Sequence, residues 1–192
     1  ILGAYGDGGF VSTNSKKLLK KIRQIRFYGI EQNDKKNKYN LKYYSNVHGI
    51  NSRLDEIHSS ILNFKLKKVN NFILKRKKIA KIYFRALKNT KLTLPVIRKN
   101  CDHVFHLFTV YHKKRDEIIK KLDKKKINVR IIYPYPIHLM RGYKKFNSLK
   151  KINLPETERL YKGIFSLPLY PNIRVSEVKK VIIEIKKILK NI

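Results

Sequence analysis

The sequence predicts an α/β fold, and three observations carry that reading. From His103 to Ile132 a β-type run, an amphipathic helix and a second β-type run follow one another. Helical patterns then close the chain, the last over about 176–190. This order suits a small α/β lobe in which helices cover a sheet. With 192 residues, 42% of them hydrophobic, there are enough apolar side chains for a core, in one domain or two small lobes.

Taken in order, Gly3, Gly6, Gly8 and Gly9 around Asp7 predict a tight loop. Phe10–Thr13 reads as a short β run, and Asn14 or Ser15 caps a helix running to about Arg26, with Leu18, Leu19, Ile22 and Ile25 on one face. Residues 27–50 combine Gly29, Asn33, Asp34, Asn37, Asn40 and Gly49 with several Tyr, the pattern of a long polar loop. A helix follows Asn51-Ser52, either of which is a candidate cap, with Asp55 and Glu56 in its first turn and Leu54, Ile57, Ile61, Leu62 and Leu66 as its apolar stripe. A second helix is expected over roughly 70–88, carrying Ile73, Ile79, Ile82 and Leu87, and Pro95 with Asn100-Cys101-Asp102 marks a boundary.

Beyond it, His103–Tyr111 is rich in β-branched and aromatic residues and reads as a strand. Arg115–Lys126 reads as an amphipathic helix and Val129–Ile132 as a second strand. Tyr133-Pro134-Tyr135-Pro136 fits neither a regular helix nor a central strand, because each Pro lacks an N–H donor. Helical segments near 138–146 and 156–163 complete the series.

Composition narrows the functional classes. The net charge is +33, from 46 basic and 13 acidic residues. Read alone, that suggests a nucleic acid or an anionic membrane as partner. The basic residues are 35 Lys and 11 Arg spread along the whole chain, and Lys, Ile and Asn are abundant while Gly, Ala and Trp are scarce. That is the codon bias of an AT-rich genome, so no specific nucleic-acid partner is expected. A nucleic-acid-binding module stays as an alternative resting on charge alone, with binding that is weak and steeply salt-dependent. Cys101 is the only cysteine, which rules out an internal disulfide and a cysteine-rich metal site. No apolar run is long enough for a membrane helix, and the start lacks the order of a secretory signal, so no membrane partner and a cytoplasmic location are expected. The start also lacks an initiator Met, and the chain is expected to begin inside a longer protein.

Three motifs bear on chemistry. Gly3–Thr13 has glycines, but their spacing fits neither a P-loop nor a dinucleotide fingerprint, and a turn entering a strand explains them. Gly49–Glu56 places Arg53 at a helix start, where a cation opposes the dipole unless an anion accompanies it. Such a local conflict is what a functional site produces. Tyr133–His138 ends on a histidine that serves either packing or chemistry.

Together and in this order, these stretches resemble the DegT family of nucleotide-sugar aminotransferases, fold-type-I enzymes that use pyridoxal 5′-phosphate (PLP). The matching stretches are Leu2–Gly9, Ile25–Gly29, Lys42–Tyr44, Gly49–Ile57, His103–Phe108, Arg115-Asp116, Tyr133–Leu139 and Ser166–Pro171, and they span essentially the whole chain.

The resemblance implies the C-terminal part of a fold-type-I PLP transferase: residues 1–90 as the end of the large domain with linking helices, and 91–192 as the small α/β domain. It places the family's Schiff-base lysine immediately before the position of Ile1, so no catalytic residue and no turnover are expected from these residues alone. Asn51 matches the asparagine that reaches across the homodimer to the phosphate of the neighbouring subunit's PLP. Arg53 matches an arginine close to that site, which supplies the anion its position lacks. Tyr133 and His138 match the small-domain loop lining the substrate side, where Ile132 stands in place of a frequent family histidine. The Gly6-Asp7-Gly8 turn is structural. The implied substrates are a nucleotide-diphosphate sugar and an amino donor, usually glutamate, with no metal. Asn51–Glu56 preceded by Lys42–Tyr44 looks more like members that aminate a 3-keto sugar than those acting at carbon 4, in amino-sugar or surface-polysaccharide synthesis. The missing lysine leaves a second reading, a non-catalytic remnant or interaction subunit that dimerises and lends Asn51 to a partner.

Overall fold

Ser15 opens the first helix, α1 (Lys16–Arg26): its hydroxyl oxygen accepts the Leu18 amide at 3.2 Å, satisfying an amide that a helix start leaves without a partner. The chain continues through α2 (Glu56–Leu66), α3 (Val69–Leu87), β1 (Phe108–Tyr111), α4 (Arg115–Asp123), α5 (Pro155–Tyr161), β2 (Ile164–Leu167) and α6 (Val175–Lys190). This computed structural model describes residues 1–31, 44–143 and 152–192. Lys42, Tyr43, Asn33, Asp34, Asn37, Asn40 and the end of the helix expected over 138–146 lie outside the described residues.

The chain divides into two compact units, Leu2–Lys68 and Val69–Ile192 with Ile1. The division falls before α3. The reason is burial: Ile79, Ala80, Tyr83 and Leu87 of α3 belong to the core that continues through the C-terminal residues.

In the second unit, β1 and β2 pair antiparallel, Phe108 opposite Leu167 and Tyr111 opposite Ile164. Single bridges widen this ribbon, Thr93 to Tyr111 beside β1 and Arg130 to Ser166 beside β2. Phe108 and Val110 alternate inward on β1, as the two-residue period of a strand requires. They meet Tyr83, Phe165, Ile118, Leu122, Val178 and Ile185, all buried. The Tyr83 and Phe108 rings lie 5.0 Å apart, and Phe84 stands edge-on to Phe108 at 5.0 Å. Each such fully buried side chain contributes roughly 1.5–3 kcal/mol. Helices α3 and α4 both pack on α6, whose Val178, Val181, Ile182, Ile185, Ile188 and Leu189 form one apolar stripe.

The first unit is built differently. Among its described residues only Gly29 is buried, and neither α1 nor α2 has a buried side chain. Phe10 is 92% exposed. The β run expected over Phe10–Thr13 is not a strand here, because no described segment pairs with it.

Other elements also depart from the sequence reading. The strand expected over His103–Tyr111 begins only at Phe108. Phe105 turns back at φ 48° with its amide donating to His103 Nδ1 at 3.0 Å, and Arg76 occupies the Phe105 and His106 carbonyls, so no ladder forms there. Val129–Ile132 contributes a single bridge, and 138–146 only the 3-10 turn Ile137–Leu139 in its described part. Ile164–Leu167, not read as a strand from the sequence, is the strand that pairs with β1.

Candidate functional site

Asn51 and Arg53 owe their positions to a backbone lacing between two segments of the first unit. Tyr28 donates to the Ile50 carbonyl, Ile50 to that of Ile25, and Ser52 to that of Arg26, at 2.8–3.1 Å, leaving Phe27 and Asn51 as a bridge pair. Two glycines permit the approach. A Cβ on Gly49 would sit 1.9 Å from the Gly29 nitrogen, and one on Gly29 1.8 Å from the Val47 carbonyl oxygen. Gly29 also has φ +76°, a region that L side chains avoid.

This lacing draws residues 50–52 into extended backbone, so neither Asn51 nor Ser52 caps α2. Asp55 holds that position, without a side-chain hydrogen bond. Arg53 therefore precedes the helix, and its Nε donates to Asn51 Oδ1 at 3.3 Å. Its guanidinium carbon lies 5.4 Å from the centre of the Phe27 ring. Among the described residues no carboxylate forms an ion pair with it. The Asn51 amide nitrogen and the remaining guanidinium N–H groups are exposed donors on neighbouring side chains. That donor set fits a phosphate, which accepts both charged and neutral N–H groups.

Tyr133 and His138 lie in the second unit and differ in environment. Tyr133 is 72% exposed. The His138 side chain is 8% exposed, and its Nε2 lies 3.1 Å from Glu158 Oε1 on α5. The sequence pattern gave no sign of this partner, twenty residues away. Asn51 and Arg53 thus meet each other, and Tyr133 and His138 share one loop.

Arg76 was also missed. One guanidinium nitrogen, Nη1, donates to the carbonyls of Phe105, His106 and Leu169 at 3.0–3.1 Å. Its Nε is buried without a partner, and burial pulls the pKa of the group down. Arg76 edges a cavity of about 620 Å³, bordered also by Lys126, Arg130, Ile132, Ser166 and Lys180. Cations are no more frequent in this wall than in the chain as a whole, so its charge does not single out a ligand.

Comparison with known proteins finds similarity along nearly the whole chain. Residues 1–186 match the model of the DegT/DnrJ/EryC1/StrS aminotransferase family. A dTDP-3-amino-3,4,6-trideoxy-alpha-D-glucose transaminase of Micromonospora megalomicea subsp. nigra is 37% identical, over 98% of this chain and 50% of its own length. A dTDP-3-amino-3,6-dideoxy-alpha-D-galactopyranose transaminase of Aneurinibacillus thermoaerophilus is 32% identical, over 91% of this chain and 45% of its own. The chain thus spans about half the length of the curated relatives it matches. Among solved structures, a DegT DnrJ EryC1 StrS aminotransferase from Brucella abortus superposes with TM-score 0.83 at 30% identity, covering 98% of this chain and 48% of that one. The S. venezuelae protein DesV gives TM-score 0.84 at 28% identity, covering 99% and 49%. The fold is the C-terminal part of a fold-type-I aminotransferase, and the chain belongs to the DegT/DnrJ/EryC1/StrS aminotransferase family.

Proposed function

We propose that the protein carrying this chain is a PLP-dependent aminotransferase of a keto nucleotide-sugar, with glutamate as amino donor, working in the cytoplasm as a homodimer. In this reading residues 1–90 end the large domain and 91–192 form the small one, and the Schiff-base lysine stands immediately ahead of Ile1. The observation that carries it is the exposed amide–guanidinium pair of Asn51 and Arg53, free of any carboxylate ion pair among the described residues, within a chain that matches the family over residues 1–186. Names of the relatives favour a 3-keto sugar: those at 37% and 32% identity are both transaminases of 3-amino sugars. The product then serves amino-sugar or surface-polysaccharide synthesis.

Bound PLP supplies an electron sink. This chain's residues supply binding and orientation. Asn51 and Arg53 donate hydrogen bonds to the phosphate of the partner subunit's cofactor, and the Phe27 ring limits where the guanidinium can swing. Tyr133 offers an exposed ring and hydroxyl to the sugar, on the loop that His138 closes.

The test uses the full-length gene product. A lysine directly before Ile1, a visible absorbance band with PLP, and glutamate-dependent conversion of a 3-keto nucleotide-sugar are the expected results. Arg53→Ala should weaken PLP retention about tenfold, as loss of one charge-assisted phosphate contact predicts. Absence of a lysine-bearing PLP domain upstream sinks the reading.

A further inference from the structure

We infer that Glu158 is a positioning residue: through His138 it holds the Tyr133–His138 loop in the shape that presents Tyr133 to the substrate. The inference rests on the proposed function for the identity of that substrate, and on the following geometry for the rest.

The loop is tied at both ends to one stretch of chain. At its start, Arg130 and Ser166 exchange backbone hydrogen bonds, Arg130 N to Ser166 O at 3.2 Å and Ser166 N to Arg130 O at 2.8 Å. At its end, His138 Nε2 meets Glu158 Oε1 at 3.1 Å. Glu158 and Ser166 belong to α5 and β2, which follow one another through Gly163. There is no room for a side chain at Gly163: a Cβ would lie 2.4 Å from the Tyr111 ring and 2.8 Å from the His112 carbonyl oxygen. Ser166 thus sits on β2, which pairs with β1, and Glu158 on α5, joined to β2 through Gly163.

Between the anchors the loop carries little else to hold it. Tyr133, Tyr135 and Ile137 are exposed, and only Pro136 is buried. Each Tyr precedes a proline, which keeps its backbone extended. Such a segment keeps its shape only as well as its ends are fixed. Among the described residues, one end rests on backbone and the other on a side-chain contact.

The choice of partner is informative in this sequence. Carboxylates are scarce, 13 against 46 basic residues, so a carboxylate here seldom lacks a nearby lysine or arginine. Glu156, two residues earlier on α5, follows that expectation and binds Arg159 at 2.8 Å. Glu158 instead meets an imidazole that is almost buried, where an unmade hydrogen bond costs most.

The experiment uses the full-length gene product with Glu158→Ala, Glu158→Gln and, as a control on the same helix, Glu156→Ala. Steady-state kinetics with a 3-keto nucleotide-sugar are read beside hydrogen exchange at the Leu139 and Met140 amides, which donate to Pro136 and Ile137. Glu158→Ala should raise KM for the sugar about tenfold with kcat within about twofold, and raise exchange at both amides about tenfold, the factor for loss of one such contact. Glu158→Gln, whose amide oxygen still accepts from Nε2, should restore both, and Glu156→Ala should move neither. If Glu158→Ala does not fold, Glu158→Asp, one methylene shorter, carries the same expectation. Unchanged KM in these variants overturns the inference even if exchange rises, and so does a uniform fall in kcat with KM constant. Failure of the proposed function shows already in the unsubstituted protein, whereas failure of this inference shows only in the variants.

Discussion

Replacing Arg76 by methionine tests whether one half-buried guanidinium ties α3 to the loops beside β1 and β2. Methionine keeps most of the length and apolar stem and removes every donor. The three acceptor carbonyls, of Phe105, His106 and Leu169, all depend on Nη1. One nitrogen with two hydrogens cannot direct full bonds at three oxygens, so the set counts as about two charge-assisted bonds, each roughly 1.5–3 kcal/mol. Against this stands the buried, unpartnered Nε, whose desolvation costs roughly 1–3 kcal/mol and disappears in the variant. The expected net loss is about 3 kcal/mol, within the range for breaking a buried polar network. Urea unfolding of the 192-residue chain, followed by circular dichroism, converts that to a midpoint lower by about 1.5 M at a slope of about 2 kcal/mol/M. Arg76→Lys should fall between, since an ammonium cannot reproduce the planar fork. A drop below about 0.5 M, or equal losses for Lys and Met, refutes the reasoning.

Gly49→Ala should be among the most damaging single-methyl additions in the first unit, because the added Cβ meets backbone at 1.9 Å and no side chain can swing aside. A loss of about 1–3 kcal/mol is expected, with hydrogen exchange rising at Tyr28, Ile50 and Ser52; unchanged exchange there counts against the lacing. Acid should destabilise the chain in two windows. Burial foremost holds His106 and His112 below the ordinary imidazole value of about 6.5, so the unfolded chain binds protons that the folded one refuses, and stability falls as pH drops below that value. Glu117, Glu156 and Glu177 are held below the usual carboxylate value near 4.5, chiefly by hydrogen bonds from Lys121, Arg159 and the Arg174 backbone. Their contribution is complete above that value and is lost as pH falls through their lower folded values. Asparagine at both 106 and 112 should flatten the first window alone in a pH series of urea midpoints.

Most of the helices were legible in the sequence because their signals are local. Ser15 before Lys16, Pro155 followed by Glu156 and Glu158, and Glu177 at the start of α6 are all marks that a few neighbouring residues decide. The strands were less legible because a strand is defined by its partner. Val129–Ile132 has the β pattern but only one bridge, whereas Ile164–Leu167 pairs fully with β1 although its motif was noted for other reasons. Tertiary pairing outweighed propensity at both places. For the candidate site, Asn51, Arg53, Tyr133 and His138 could be marked by family resemblance, since each sits in a contiguous stretch. What holds them could not. Phe27 under Arg53 and Glu158 against His138 are partners far apart in sequence, joined only once the chain is folded.

The excess of positive charge has a counterpart in where the few acids stand. Seven of the thirteen carboxylates occupy an N-cap or first helical turn: Asp55, Glu56, Asp116, Glu117, Glu156, Glu158 and Glu177. A composition bias that adds lysine everywhere leaves no such order, whereas the helix dipole favours anions at those positions. The bias thus tells little about partners, and the retained acids mark the positions where a carboxylate contributes to the fold. Most of them complete a helix start or bind a neighbouring cation. Glu158 does something those roles do not require, since the dipole would be served with its carboxylate in water. That it turns instead to a nearly buried histidine at the end of the Tyr133 loop is the strongest single sign that α5 shapes that loop.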